Sequence, residues 1–368
     1  MTQQIVALLG RRDEPTDGVE EYCRYLGAAL HLHGFELALV RLPWKERGWS
    51  AAMHELARRA ADWRGRWICV QYTALAWSAR GFPLRFVSVV NLLHRVGARV
   101  AVVYHDAEPH PGSRALDKLR RAVQLQVMRR SLLGSDLAIF TVPLQAISWI
   151  SSPPRNAAFI PVGVNLPPAA NNETNSSDRL AKPLRVAVFG ITGGEAGRRE
   201  SARIVEAMRF ASAAIGKLEL RAFGRHADDR APTLREGLRD VPVDVQVKGV
   251  LPAEQVVREL CSADVMLFMR GAISTRRGSA IAGIACGLPV IAERGAETSG
   301  PIEEAGVVLL SGERPGEFGE ALLQVLANQD YRAALAARSR LAQDKYFSWP
   351  AIAARYAEEL RKSQTSRT

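Results

Sequence analysis

The chain has 368 residues, 47% hydrophobic and 24% charged, with a net charge of +11. That length suits two domains of ordinary size, and the composition excludes a disordered or fibrous chain. No apolar run is long enough to cross a membrane, and Cys23, Cys69, Cys261 and Cys286 are scattered without a CxxC pair, which argues against disulfides or a zinc site and for a reducing cytoplasm.

Short apolar runs alternate with helix-length amphipathic segments, the pattern of parallel α/β sheets. In the first half the expected strands are 5–9, 36–41, 67–71, 100–104, 137–141 and 157–160. The first is followed by a charged loop, so the N-terminus does not read as a signal peptide. Gly18 stands at the start of the next helix, where backbone without a Cβ can approach a phosphate or simply turn. His105 and Asp106 directly follow the strand 100–104, the place where a histidine can bond a sugar hydroxyl or handle a proton. A helix over 113–133 carries Arg114, Lys118, Arg120, Arg121, Arg129 and Arg130. It reads as a solvated face, with contact to anionic lipid heads as the alternative.

Residues 167–183, rich in Pro, Asn and Ser, form the expected linker. The N-terminal domain is thus 1–166 and the C-terminal domain 184–347, with 348–368 as a separate final helix. Residues 1–182 hold 23 Lys and Arg against 15 Asp and Glu, so +8 of the net charge lies there. An anionic partner on that half is one reading, and an arginine-rich coding bias is the other. Basic residues are not interleaved with stacking aromatics, so no nucleic-acid partner is expected.

After the linker the strands are 184–189, 218–223, 243–247, 265–268, 290–292 and 307–310. The first ends in Gly190-Ile191-Thr192-Gly193-Gly194-Glu195-Ala196-Gly197, followed by Arg198 and Arg199. A glycine-rich strand-to-helix loop with cations can cradle a diphosphate. A dinucleotide reading fails, because the GxGxxG spacing is absent and Gly224 is followed by Arg225 rather than an acid. There is no DxD, so no metal is signalled, and no GxSxG elbow. The stretch 270–293 adds Arg270, Ser274, Arg276 and Arg277, then Gly278-Ser279 opening an apolar helix that Gly287 closes. A helix start flanked by arginines suits a phosphate-bearing ligand.

Taken in order, Asp17-Gly18-Val19-Glu20, Gln71-Tyr72, Val103-Tyr104-His105-Asp106, Ile160-Pro161-Val162-Gly163-Val164-Asn165, Ser262-Ala263-Asp264-Val265, Ala285-Cys286-Gly287-Leu288-Pro289-Val290 and Phe347-Ser348-Trp349 resemble the retaining, GT-B-fold glycosyltransferases of family 4. The match spans nearly the whole chain. It implies two doubly wound Rossmann-like domains facing across a cleft, with no cofactor and no metal. The implied donor is a nucleotide-diphosphate sugar on the second domain, and the implied acceptor, a glycan or lipid-linked molecule, lies on the first. The resemblance implies that Gly18 and Arg198 meet donor phosphate, that His105 meets the sugar, and that Gly249, Val250 and Leu251 read the base. It also marks a departure. Where the family has paired glutamates, this chain has Ser274 and Ala282, and Glu293 and Glu297 lie too far along the chain to be obvious substitutes. The expected function is therefore sugar transfer in bacterial-type polysaccharide or glycolipid synthesis, in the cytoplasm or peripherally at the inner membrane. The alternative is a non-catalytic subunit of the same fold that binds a partner transferase or an anionic glycan.

Overall fold

The computed structural model describes residues 2–13, 17–110, 112, 114–167 and 183–365, so the expected linker lies outside it except for its two ends. The chain divides into two compact units: Met1–Gly163 together with Trp349–Thr368, and Val164–Ser348.

The first unit runs β1 (Gln3–Leu9), α1 (Gly18–Leu30), β2 (Phe35–Arg41), α2 (Trp44–Arg47), α3 (Trp49–Ala60), β3 (Trp67–Tyr72), α4 (Arg85–Arg95), β4 (Arg99–Tyr104), α5 (Ala115–Leu133), β5 (Leu137–Phe140) and β6 (Ala157–Phe159). Its six strands are all parallel, in the order β2-β1-β3-β4-β5-β6. Both faces are covered, which explains why the strands read as unbroken apolar runs. Val6, Leu8, Ile68, Val70, Val100 and Val102 point to one core, and Ile5, Ala7, Cys69, Ala101 and Val103 point to the other. The period of two along each strand does this sorting.

The second unit contains β7 (Leu184–Phe189), α6 (Gly194–Ile215), β8 (Leu218–Phe223), α7 (Ala227–Gly237), β9 (Val243–Lys248), α8 (Ala253–Cys261), β10 (Val265–Phe268), α9 (Gly278–Ala285), β11 (Val290–Glu293), α10 (Gly300–Glu304), β12 (Val307–Leu310), α11 (Glu317–Ala327) and α12 (Gln329–Ala342). Its sheet is again six-stranded and parallel, ordered β12-β11-β10-β7-β8-β9. All twelve expected strands are present, with ends moved by at most two residues.

The last helix, α13 (Trp349–Thr365), belongs to the first unit. Ile352, Ala353, Tyr356, Ala357 and Leu360 recur at helical spacing and are all fully buried beside α1. The Tyr356 and Tyr22 hydroxyls share a 2.7 Å hydrogen bond, and the Trp349 ring stacks on Tyr25. A Cβ on Gly163 would stand 2.8 Å from the Trp349 ring, so only glycine fits under it.

Candidate functional site

In the first unit, the loops after β1, β3 and β4 leave the carboxyl edge of the sheet, where ligands bind in doubly wound folds. α1 begins there. Asp17 caps it, its Oδ1 accepting from the Val19 and Glu20 amides, both at 3.1 Å. Arg41, at the end of β2, donates to Asp17 Oδ2 at 2.9 Å, to Glu20 at 2.6 Å and to the Gly10 carbonyl at 2.8 Å. Gly18 is exposed, and a Cβ there would touch nothing within 4 Å. Two of the helix's first amides are therefore already occupied by an internal carboxylate.

His105 lies beside this helix start. Its Nε2 is 2.8 Å from Gln71 Oε1, and its ring meets Tyr22 edge-on at 5.1 Å. Gln71 is buried on β3 and donates its Nε2 to the Cys69 carbonyl at 3.1 Å. That bond leaves Oε1 as the acceptor, so His105 Nε2 carries the proton and Nδ1 keeps a lone pair. Burial lowers the His105 pKa to about 4, against an opposite pull from Asp17. The imidazole is neutral at physiological pH. Asp106 turns the other way and accepts from the Ala74 amide at 2.9 Å, tying the β3 and β4 loops together.

The second unit concentrates cations. At the end of β7, Gly190 has φ 78°, and a Cβ on it would come 3.2 Å from the Arg270 guanidinium. Arg270 comes from the loop after β10, far along the chain, and lies over the glycine-rich loop. Gly193 and Gly194 open α6, with φ 64° at Gly194. Gly197 is required by close approach, since a Cβ would fall 1.8 Å from the Thr192 carbonyl oxygen. Arg198 is exposed and paired with Glu195, and Arg199 is exposed too. Glu200, buried, accepts from the Thr192 amide at 2.8 Å. Arg225, exposed after β8, lies close enough for its charge to oppose that of Arg270.

The loop from β10 to α9 holds the densest group. Ser274 and Thr275 are buried. Arg276 makes a fork on Glu297, at 2.8 and 2.9 Å. Glu297 was not an obvious substitute for the absent glutamates on sequence distance, yet the fold sets it near Ser274. The reason is that β10 and β11 are neighbours, and Thr298 bonds the Ile273 carbonyl at 2.8 Å. Burial pushes the Glu297 carboxyl up, but Arg276, the Ser274 hydroxyl and Arg277 outweigh it and hold it low. Glu293, by contrast, is taken by Arg203 at 3.1 Å.

Arg270 and Arg277 have no carboxylate partner among the described residues, and the Nε of each is buried without a hydrogen bond. Burial lowers both pKa values below the ordinary arginine value; the Glu200 charge partly offsets this at Arg270, and at Arg277 the neighbouring Arg276 adds to the lowering while Glu297 partly offsets it. Arg270, Arg276 and Arg277 thus gather near Glu200 and Glu297, with Arg225 close to Arg270. α9 opens beside them with no side-chain cap, at exposed Gly278 and half-buried Ser279. A guanidinium Nε buried without an acceptor is costly unless an anion supplies one, so this arrangement can receive an anion.

Gly249, Val250 and Leu251 follow β9. Gly249 lies against Asp228, whose carboxylate oxygen would be 1.9 Å from a Cβ there, and Val250 is exposed. Among the described residues, no group of three or more His, Cys, Asp or Glu side chains stands ready to hold a metal ion. Nor, among the described residues, is any helix long and apolar enough to cross a membrane. Sequence reading foresaw the arginine-flanked start of α9. It missed the Gln71–His105 pair and the approach of Arg270 to Gly190, both created by strand neighbours rather than by sequence neighbours.

No family model matches this sequence, and no curated protein matches it either. Solved structures do. Sucrose-phosphate synthase from Thermosynechococcus elongatus is 19% identical, with a TM-score of 0.69, over 99% of this chain and 100% of that one. Anabaena HepE, in complex with UDP and glucose, is 13% identical with a TM-score of 0.66, over 98% and 100%. WaaG, a glycosyltransferase involved in lipopolysaccharide biosynthesis, is 15% identical with a TM-score of 0.57, over 96% and 98%. The fold is GT-B, with two Rossmann-like domains.

Proposed function

We propose that the protein is a glycosyltransferase that moves a sugar from a nucleotide-diphosphate sugar to a glycan or lipid-linked acceptor. The observation that carries this reading is the pair of half-buried, carboxylate-free arginines, Arg270 and Arg277, each with its Nε buried and unbonded, at the open start of α9. A nucleotide-sugar diphosphate bears two negative charges, and guanidiniums bind phosphate oxygens with charge-assisted, fork-shaped hydrogen bonds. Solved structures of the same fold support the reading, one of them HepE with UDP-glucose.

Breaking the anomeric C–O bond leaves negative charge on the departing diphosphate. Fixed guanidiniums and the α9 amides stabilise that charge as it develops, without reorganisation. With that much positive charge supplied by side chains, the reaction we propose is metal-independent and needs no cofactor. In the first unit, neutral His105 offers an Nδ1 lone pair to a sugar hydroxyl, and Gln71 sets its tautomer. Retention of configuration, membership of family 4, the base-reading role of Gly249, Val250 and Leu251, and a cytoplasmic setting complete the proposal. The first three rest on the resemblance of the motifs, and the last on the scattered cysteines.

Calorimetry with UDP, GDP, ADP, CDP and dTDP tests it. One of the five binds, and the matching nucleotide sugar is slowly hydrolysed by the purified protein. Failure of all five to bind would sink the reading, and binding without any turnover would return the protein to the non-catalytic alternative.

A further inference from the structure

We propose that Cys261 and Cys286 form a redox-active dithiol site, which a hydroperoxide converts to a disulfide and a small dithiol restores. The two residues lie far apart in sequence and belong to no cysteine motif. The fold of the second unit makes them neighbours. Cys261 is the last residue of α8, four residues ahead of β10, and Cys286 follows α9, four residues ahead of β11. β10 and β11 pair in parallel, with Met266 opposite Val290. Both cysteines therefore stand at the same edge of the sheet, one strand apart, and their side chains share a hydrogen bond.

The surrounding backbone holds that meeting in place. A Cβ on Gly283 would stand 2.5 Å from the Met266 sulfur, so a glycine is what lets α9 lie this close to β10. Gly287, at φ 70°, turns the chain directly after Cys286. The Cys286 amide is itself fixed, donating to the Ala282 carbonyl at 3.1 Å.

The other two cysteines supply the contrast. Cys23 and Cys69 are buried in the first unit. Burial pushes the Cys69 thiol up to about 12 and raises that of Cys23 well above its ordinary value, and such thiols are inert. Cys261 and Cys286 are only half-buried, within reach of a small oxidant. The Cys286 thiol donates to the Cys261 sulfur, and that bond lowers the Cys261 pKa against the opposing effect of burial. The same bond, together with burial, raises that of Cys286. Cys261 is thus the sulfur that becomes a thiolate, and Cys286 the partner that keeps its proton.

The chemistry follows in two steps. The Cys261 thiolate attacks the O–O bond of the hydroperoxide; an S–O bond forms, the O–O bond breaks, and the departing alkoxide takes a proton to leave as an alcohol. The Cys286 sulfur then attacks the resulting sulfenic acid. The S–S bond forms, the S–O bond breaks, and hydroxide leaves with the Cys286 proton as water. Two thiols are oxidised and one peroxide is reduced. A dithiol reverses the change by thiol–disulfide exchange, becoming a disulfide itself. A transient disulfide of this kind is compatible with a reducing compartment. The donor arginines take no part in it, so the inference does not depend on the proposed function.

The test begins with the fully reduced full-length protein and a small excess of hydrogen peroxide. The thiol count, titrated after denaturation, falls from four to two. Peptide mapping finds one disulfide, Cys261 to Cys286, within a single chain, and dithiothreitol restores all four thiols. In Cys286→Ser the sulfenic acid on Cys261 has no thiol to condense with and is trapped by dimedone. In Cys261→Ser, dimedone traps nothing at Cys286. The map of the parent protein needs no variant, so it decides even where a serine unfolds the chain. Four thiols surviving the peroxide overturn the inference, as does a disulfide that involves Cys23 or Cys69 or that joins two chains. Equal dimedone labelling of Cys261 in the parent protein and in Cys286→Ser overturns it too.

Discussion

The two helix starts, α1 in the first unit and α9 in the second, look alike in sequence but are opposites in structure. Each follows a parallel strand, and each has a glycine in its first turn. At α1, Asp17 occupies two of the first amides and Arg41 neutralises the acids around it, so the terminus is internally satisfied. At α9, no side chain caps the helix, and the nearby Arg270 and Arg277 lack acceptors. A satisfied terminus contributes stability, whereas an unsatisfied one beside half-buried cations keeps its interaction energy for a ligand.

That contrast can be broken most directly at Arg277. Arg277→Met should weaken nucleoside diphosphate binding by about 10- to 100-fold, the worth of one or two charge-assisted hydrogen bonds. The melting temperature should hold or rise, because a half-buried charge without a carboxylate partner is removed. Arg198→Ala, at an exposed pair with Glu195, should change affinity by less than about threefold. Calorimetry on both variants decides, and equal losses would return the phosphate site to the glycine-rich loop.

At the other helix start the signs reverse. Asp17→Ala should leave nucleotide affinity unchanged while lowering stability by about 1–2 kcal/mol, measured by urea unfolding, because the cap is lost and Arg41 loses a partner. A loss of nucleotide binding in this variant would mean that α1 too holds phosphate, as the resemblance of Gly18 implies.

The smallest effect concerns His105. Its folded pKa, about 4, lies below the ordinary 6.5, so between those values the unfolded chain binds a proton that the folded one refuses. Stability therefore rises with pH across that window, is fully present above 6.5, and is lost as pH falls toward 4. The melting temperature of His105→Gln should fall less than that of the parent protein over the same range. Parallel curves would mean that His105 is not buried as a neutral base.

Nearly all of the architecture was legible from residue order. Runs such as Val265-Met266-Leu267-Phe268 are apolar on both faces because helices cover both sides of a parallel sheet. Gly287, with φ 70°, closes α9 as its position after the apolar run indicated. The site was legible only in part. Arg276, Arg277 and Gly278 were found because they adjoin one another along the chain. Arg198 drew attention for its nearness to the glycine-rich loop, yet it turns outward to Glu195.

What the sequence determined by itself was the set of strands and helices, since these follow from local periodicity and capping chemistry. Only the tertiary structure decided which charges meet. Placing β10 beside β7 brings Arg270 over Gly190, and placing it beside β11 brings Glu297 to Arg276. In the first unit, the β3–β4 pairing brings Gln71 to His105. The physical reason is reach. Periodicity and caps act over a turn or two of chain, whereas ion pairs and desolvation depend on distance in space. In a parallel sheet, neighbours in space lie tens of residues apart in sequence.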